Sequence, residues 1–394
     1  VSRYRYNAEF ALAQNNPRHW EISMKRFRKA IRQNGDSLEN RYATYLYYKM
    51  QFESPYNDRL DKRNAPEQLR QVFEALDIFH LMTTLVQVCE DLYRSGIIEE
   101  PSTIAEREQQ QEKILEQTAP LANRRYPLIH LYRELILLKK TDSAFPGLCR
   151  AFGYLVLYRK LELVSLPEQN KCIRYLLNYC AYRNNQGDRL FLQVRQNIEH
   201  WGLLTDLLLV NGVLPDSNFL NAGLTAAGLK DFDKIEKLID RYGSLLPQPV
   251  QVSAIALVRA YSFFFQDKFE AAADELDQVS VKSYFYSIQK HLLAVRVGYY
   301  RLLTGHMDID KMYNVLQNAR LFFRRNNYPV PPARRQSYLD MVLILERIVD
   351  YRVESKKRTP KQLKRIQRHM RERKPALSKW LEEVIADLTK NGTD

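Results

Sequence analysis

Between Asp216 and Ala319, apolar residues recur every three or four positions, stop, and recur again. Asp231 stands where a helix N-cap is wanted, Phe232, Ile235, Leu238, Ile239 and Tyr242 follow at helical spacing, and Gly243 closes the stripe. The preceding segment, Asp216 to Gly228, carries Phe219, Ala222, Gly223 and Ala226 and reaches Asp231 through Leu229-Lys230 alone. A connection that short predicts two antiparallel helices. The unit then repeats. Ser253 to Phe265 is apolar and rich in small residues, Gln266-Asp267-Lys268 makes the turn, and Phe269, Ala272, Ala273, Leu276 and Val279 form the next stripe. A third copy runs from Tyr284 to Leu303, turns at Gly305-His306-Met307 and continues with Ile309, Met312, Tyr313, Leu316 and Ala319. A fainter one pairs Cys172–Tyr182 with Leu190–Ile198 across Asn184-Asn185-Gln186-Gly187. Phe232 to Phe269 is 37 residues and Phe269 to Ile309 is 40. Such recurrence predicts an all-α fold, a right-handed α-solenoid of antiparallel helix pairs with about sixteen to eighteen helices.

Upstream, Trp20–Ile31, Leu38–Phe52 and Pro66–Gly96 also read as helices, the last with Phe73, Leu76, Phe79, Met82, Leu85 and Val88 facing inward. The repeat period is not visible there. Glu99 to Gln117 is polar but free of glycine, and Thr103-Ile104 leads into strong helix formers, so an exposed helix is expected. Pro329-Val330-Pro331-Pro332 should end one helix and preset the first turn of another. Near the C-terminus, Leu363, Ile366 and Met370 place an apolar stripe inside a basic run. Pro375 is expected to open a second helix with Leu377, Trp380, Leu381, Val384, Ile385 and Leu388 inward. The expected layout is an irregular helical layer at 1–100, helical repeats at 101–353 and a basic hairpin cap at 354–394.

These residues resemble the tetratricopeptide repeat. Its pattern wants a large residue early in the first helix, a small one four later, a turn, an aromatic and then a small residue. Phe219, Gly223, Phe232 and Pro247 match in one repeat, and Ala260, Phe263, Phe269 and Ala272 in the next. Ile235 departs from it, standing where the pattern has alanine, and both spacings exceed the family's 34 residues. The layout from about residue 40 to 353, including Cys172-Ile173-Arg174 and Asn185-Gln186-Gly187, is similar to a group of bacterial tetratricopeptide-like proteins with no assigned activity. The resemblance implies a superhelix and brings no catalytic residues.

Composition narrows the chemistry. Thirteen glycines and sixteen prolines in 394 residues are too few for a turn-rich all-β protein. Neither G-x-G-x-x-G nor G-x-x-x-x-G-K-[ST] nor G-x-S-x-G occurs, and the seven histidines make no metal-ligand spacing. The four cysteines, Cys89, Cys149, Cys172 and Cys180, form no C-x-x-C pair and fit a reducing, cytoplasmic compartment, and Cys172 and Cys180, eight apart on one helix, read as small core thiols. The expectation is therefore a non-enzyme with no catalytic, cofactor-binding or metal-ligating residues. The longest charge-free run, Tyr242–Val258, is broken by two prolines, so no membrane span is expected. Arg3, Arg5 and Glu9 argue against a signal peptide, although a chain opening on Val1 leaves room for residues upstream.

Two features bear on partners. Twenty-five tyrosines crowd into segments such as Tyr42, Tyr45, Tyr47 and Tyr48, or Tyr284, Tyr286, Tyr299 and Tyr300. They either fill wide helix interfaces with their hydroxyls reaching solvent or line a binding face. The net charge of +14 is concentrated between Lys356 and Lys374, where ten Lys or Arg stand against Glu372 alone. Lys364, Arg365, Arg368 and Arg371 are the candidate polyanion contacts there, and a solvated capping face is the bland reading of the same run. The expected function is a scaffold that binds a protein or peptide on the concave face of the solenoid. The alternative is a nucleic-acid-binding helical repeat using the basic C-terminal helices.

Overall fold

The structure is a computed structural model that describes residues 1–56, 65–94, 104–141, 144–280, 283–325, 330–353 and 359–390. It is all-helical, with eighteen α-helices and no β-strand among the described residues. The chain divides into two units, Val1–Leu208 and Leu209–Asp394.

The first unit holds α1 (Ser2–Ala13), α2 (Pro17–Gln33), α3 (Leu38–Glu53), α4 (Ala65–Arg94), α5 (Ile104–Thr118), α6 (Pro127–Lys140), α7 (Ala144–Lys160), α8 (Leu166–Asn185) and α9 (Leu190–Leu204). Local chemistry starts several of them. Asn16 accepts from the His19 amide at 3.0 Å with Pro17 at the first helical position, and Ser37 accepts from the Asn40 amide at 3.0 Å. Ala8, Ala11, Trp20, Met24, Phe27, Ala43 and Tyr47 close one apolar cluster across α1, α2 and α3. Helix α6 packs on α4, α5, α7 and α8, and Leu128, Ile129, Leu131, Tyr132, Leu135, Ile136 and Leu138 are all buried, while His130, Arg133, Glu134 and Leu137 make a half-buried stripe on its remaining side.

Helix α4 corrects the phase expected for its first turns, at Phe73 and Leu76, and keeps it further on, where Met82, Leu85 and Val88 are buried as expected. Val72, Ile78, Met82, Leu85, Val86, Val88 and Cys89 are buried, whereas Phe73 is 55% exposed and Leu76 37% exposed. Two apolar stripes run along this helix, and the inward one is the stripe that meets α3, α6 and α8. By length and composition alone, residues Ala65–Tyr93 are also long and apolar enough to cross a membrane, although the stretch is not free of charges. The helix expected across 99–117 exists from Ile104 on, and Gln111, Ile114 and Thr118 are buried, so it is exposed on one side only. Residues 99–103 lie outside the described residues.

A polar clasp holds three connections of this unit together. The buried Asp36, in the turn between α2 and α3, accepts from Arg41 Nε at 2.6 Å and from the Leu128 amide at the start of α6 at 3.2 Å. Its backbone amide donates to the Leu163 carbonyl at 2.8 Å, and its carbonyl accepts from the Ser165 amide at 3.1 Å in the turn before α8. A Cβ on the neighbouring Gly35 would lie 2.7 Å from the Val164 carbonyl carbon, so glycine is what lets the two turns meet.

The second unit holds α10 (Asp216–Gly228), α11 (Phe232–Tyr242), α12 (Gln248–Phe265), α13 (Phe269–Asp277), α14 (Tyr284–Leu303), α15 (Ile309–Arg324), α16 (Pro332–Val353), α17 (Pro360–Arg373) and α18 (Ser378–Lys390). Asp231, Ser283 and Asp308 cap α11, α14 and α15 through the amides three residues on. Helix α12 packs on α10, α11, α13 and α14, and α16 packs on α15, α17 and α18. The C-terminal helices share one core with the preceding ones, from Ile288 and Tyr299 through Met341 and Leu345 to Trp380 and Leu388. The second helix of this hairpin begins at Ser378 and not at Pro375. Lys374 and Leu377 adopt positive φ (46° and 55°), and the Ala376 amide donates to the Ser337 carbonyl at 2.9 Å. A fixed turn pinned to α16 thus occupies the residues that Pro375 would have carried into the helix.

The first helix of each repeat stops in the same way. Lys230, Asp267 and Gly305 have φ of 59°, 60° and 76°. Each amide donates to the carbonyl three residues back, and each following amide donates five back: Asp231 to Ala226 at 2.9 Å, Lys268 to Phe263 at 2.9 Å, His306 to Arg301 at 2.9 Å. These are Schellman stops, spaced 37 and 38 residues apart, and Gly187 makes another between α8 and α9 with the Asp188 amide on Arg183. At two of the stops a side chain occupies a conformation that favours glycine. Replacing the exposed Lys230 by glycine should therefore stabilise the chain by about 0.5 to 1 kcal/mol, read as a higher urea midpoint at unchanged slope.

Candidate functional site

Two surfaces of the second unit present chemistry outward. The first belongs to α17. Thr359 caps it through the Gln362 amide at 3.2 Å, and Ile366 and Met370 are buried against α16 and α18 with Leu363 half-buried beside them. Because side chains three, four and seven apart share a helix face, that stripe turns Lys361, Lys364, Arg365, Arg368 and Arg371 to the opposite side. All five are exposed. The structure thus brings the four sequence-predicted residues, Lys364, Arg365, Arg368 and Arg371, onto one face. Lys356, Lys357 and Arg358 of the same run lie outside the described residues.

Ion pairing on α17 is uneven. Arg373 turns inward to Asp340 at 2.7 Å, and Arg368 has an exposed partner in Glu372 at 3.7 Å. Lys361, Lys364, Arg365 and Arg371 have no carboxylate partner among the described residues. On α16, Arg347 contacts the His369 ring, and its pKa is lowered first by burial and then by Arg365 and Arg373. The acids Glu382, Glu383 and Asp387 are exposed on α18, but none pairs with α17.

The second surface runs along the first helices of the repeats. Helix α12 is buried nearly all round, and its least buried stripe is Val252, Ile255, Arg259 and Phe263, with Val252 65% exposed and the other three half-buried. Burial raises the pKa of Glu275 on α13, and Arg259 works against that rise. On α14, Arg296 places its guanidinium 4.1 Å from the centre of the Phe264 ring and 5.7 Å from that of Trp380. Tyr300 stacks on Phe269 at 4.9 Å and accepts from Trp380 Nε1 at 3.2 Å.

The tyrosines are mainly internal, and several hydroxyls find partners inside the protein and not in solvent. Tyr132 donates to the buried Glu168 at 2.8 Å, Tyr93 to the Leu135 carbonyl at 3.2 Å, and Tyr261 to Gln289 at 2.8 Å. Tyr286 and Tyr299 are 1% exposed. Desolvation raises these phenols, Tyr261 to about 12. Tyr42, 43% exposed, is the outward member of its segment.

Several other chemistry-bearing groups are packed or already paired, whereas the free thiol of Cys149 on α7 is exposed. Cys89, Cys172 and Cys180 are fully buried, and burial pushes their thiols up, Cys180 to about 12, far from a thiolate nucleophile. His130 lies 2.6 Å from the Tyr158 hydroxyl and over Tyr154, and His291 stacks on Phe322 with its pKa pulled down by burial to about 4. Among the described residues no group of three or more His, Cys, Asp or Glu is placed to hold a metal ion. An open recess of about 290 Å³ between α3, α4 and the turn before α6 is lined by Arg41, Arg70 and Arg125. Each of these already has a carboxylate, in Asp36, Glu67 and Glu74 respectively.

No protein-family model, no curated protein and no solved structure matches this chain. The tetratricopeptide resemblance therefore rests on the residues that carry it, and the functional reading rests on the surfaces just described.

Proposed function

We propose that this protein is a non-enzymatic scaffold, a tetratricopeptide-like α-solenoid of antiparallel helix pairs whose first helices receive a protein or peptide. The observation that carries the reading is the repeated Schellman stop at Lys230, Asp267 and Gly305, which ends successive first helices in one geometry. Helices stopped alike and packed first helix on first helix, as α10 on α12 and α12 on α14, stack in register and leave one side of each facing outward. On α12 that side is Val252, Ile255, Arg259 and Phe263, an apolar stripe with one cation, suited to an extended or helical segment carrying apolar side chains and a carboxylate.

The test is affinity capture with the full chain and with a Val252→Asp/Arg259→Glu variant, quantified side by side. Val252 is exposed and Arg259 half-buried near Glu275, so the melting temperature is measured beside the parent's, and Val252→Asp alone is the variant to compare where the pair lowers it. A partner retained by the parent and depleted at least tenfold from the variant supports the reading. Identical captures, or none above background, would sink it.

A further inference from the structure

The exposed face of α17 is a charge arrangement that the fold does not need. A cap on the last helices requires Leu363, Ile366 and Met370 to be buried, and they are packed into the core of the second unit. It does not require five cations in a row on the other side. Lys361, Lys364, Arg368 and Arg371 follow at spacings of three, four and three, with Arg365 beside them, so like charges neighbour one another along the helix. Such neighbours repel. The first turn carries Lys361 and no acid, the reverse of what the helix dipole favours. The exposed carboxylates of α18, Glu382, Glu383 and Asp387, pair with none of these cations. The protein therefore holds in place, by packing its far side, a stripe in which Arg368 alone has a carboxylate partner among the described residues, the exposed Glu372 at 3.7 Å.

We infer that this face, Lys361, Lys364, Arg365, Arg368 and Arg371, is a contact surface for the phosphate backbone of double-stranded nucleic acid, read without regard to sequence. Three features select that partner. The stripe spans ten residues, roughly 15 Å along the helix, over which a duplex presents several phosphates on its two strands. The apolar side of α17 is already buried, so the helix has nothing left to insert into a lipid surface. The exposed face carries no aromatic ring on which an unpaired base could stack and no amide aimed outward from among the cations, which leaves charge as the recognised property. The inference is independent of the scaffold reading, which concerns α10, α12 and α14.

The experiment measures fluorescence anisotropy of a labelled 20-base-pair random-sequence DNA duplex with the full chain between 50 and 200 mM salt. Comparators are a 20-nucleotide single strand, polyglutamate and vesicles of phosphatidylserine in phosphatidylcholine. Neutralising four or five phosphates predicts a slope of log K against log salt of about −4. Changing Lys364, Arg365, Arg368 and Arg371 together to glutamine should leave a slope near −1 and cut affinity at 100 mM salt at least tenfold. The same variant should melt no lower than the parent, since like charges are removed and the buried stripe is kept. A second variant, Arg365→Lys/Arg368→Lys/Arg371→Lys, keeps the charge and should keep the slope. Duplex binding weaker than about 100 μM at 100 mM salt would overturn the inference, as would an unchanged slope in the glutamine variant. So would single strand, polyglutamate or vesicles bound as tightly as the duplex.

Discussion

Replacing Asp36 by alanine is expected to destabilise the protein by about 3 to 5 kcal/mol, the range for removing one partner of a buried charge pair. The carboxylate is buried and has two separate tasks. One oxygen takes Arg41 Nε at 2.6 Å, and Arg41 goes on to the Arg125 carbonyl at 3.2 Å and stacks over Tyr126. The other oxygen takes the Leu128 amide at 3.2 Å, one of the donors that the first turn of α6 leaves without an intrahelical acceptor. Alanine orphans a mostly buried guanidinium and an N-terminal amide at once. Asparagine keeps the shape and one acceptor oxygen, so Asp36→Asn should fall between the parent and Asp36→Ala. Glu39, three positions on and exposed, is the control, and its alanine variant should stay within about 0.5 kcal/mol. Urea unfolding followed by circular dichroism measures all three. A loss below about 1 kcal/mol for Asp36→Ala would show that the clasp is not what joins these turns.

How much of this was legible beforehand depends on whether the information is local. The helices of the second unit were, because Asp231, the stripe from Phe232 to Tyr242 and the turns at Gln266–Lys268 and Gly305–Met307 lie within a few residues of one another. Their ends match those read from the pattern to within a few residues, and Lys230 and Asp267 show why the pattern survives without glycine at the stops. Helix α6 was missed for the opposite reason. Its apolar residues from Leu128 to Leu138 cover most of its surface and leave only a narrow half-buried stripe with His130, Arg133 and Glu134, so its polar period is faint beside them. In α4 both faces are apolar, and the sequence alone does not say which meets a neighbour, so Phe73 and Leu76 were turned inward when Val72 and Ile78 belong there. The Asp36 clasp leaves no local trace, since its partner amide is 92 positions away. The cation face on α17 was legible because the buried Ile366 and Met370, with the half-buried Leu363, fix the direction of every side chain around them. What the sequence could not supply was the absence of pairing with α18, which depends on the angle at which the hairpin closes.

Gly223→Leu is expected to cost at least about 1 to 3 kcal/mol, the usual penalty for forcing extra methylenes into a packed interface. Even a Cβ at this position would lie 2.6 and 2.7 Å from the two methyl carbons of Val258 and 3.2 Å from its Cβ. Val258 is 0% exposed and β-branched, so it has neither space nor a second comfortable rotamer to retreat into, and α10 must move off α12. The sign of a smaller change makes the argument sharper. Alanine is favoured over glycine by about 1 kcal/mol in a helix interior, so Gly→Ala at an unobstructed site should stabilise. Gly153 on α7 is such a site, with nothing within 4 Å of a Cβ placed there, and Gly153→Ala should raise the melting temperature. Gly223→Ala should lower it despite the same gain in propensity. Changing Val258 to alanine in the Gly223→Ala background removes the methyl groups that clash, so the double variant should be more stable than the sum of the two single losses, with a coupling of about 0.5 to 3 kcal/mol. Additive losses, or a stabilising Gly223→Ala, would mean that α10 and α12 do not approach as closely as the repeat requires, and the stacking on which the scaffold reading depends would fail with it.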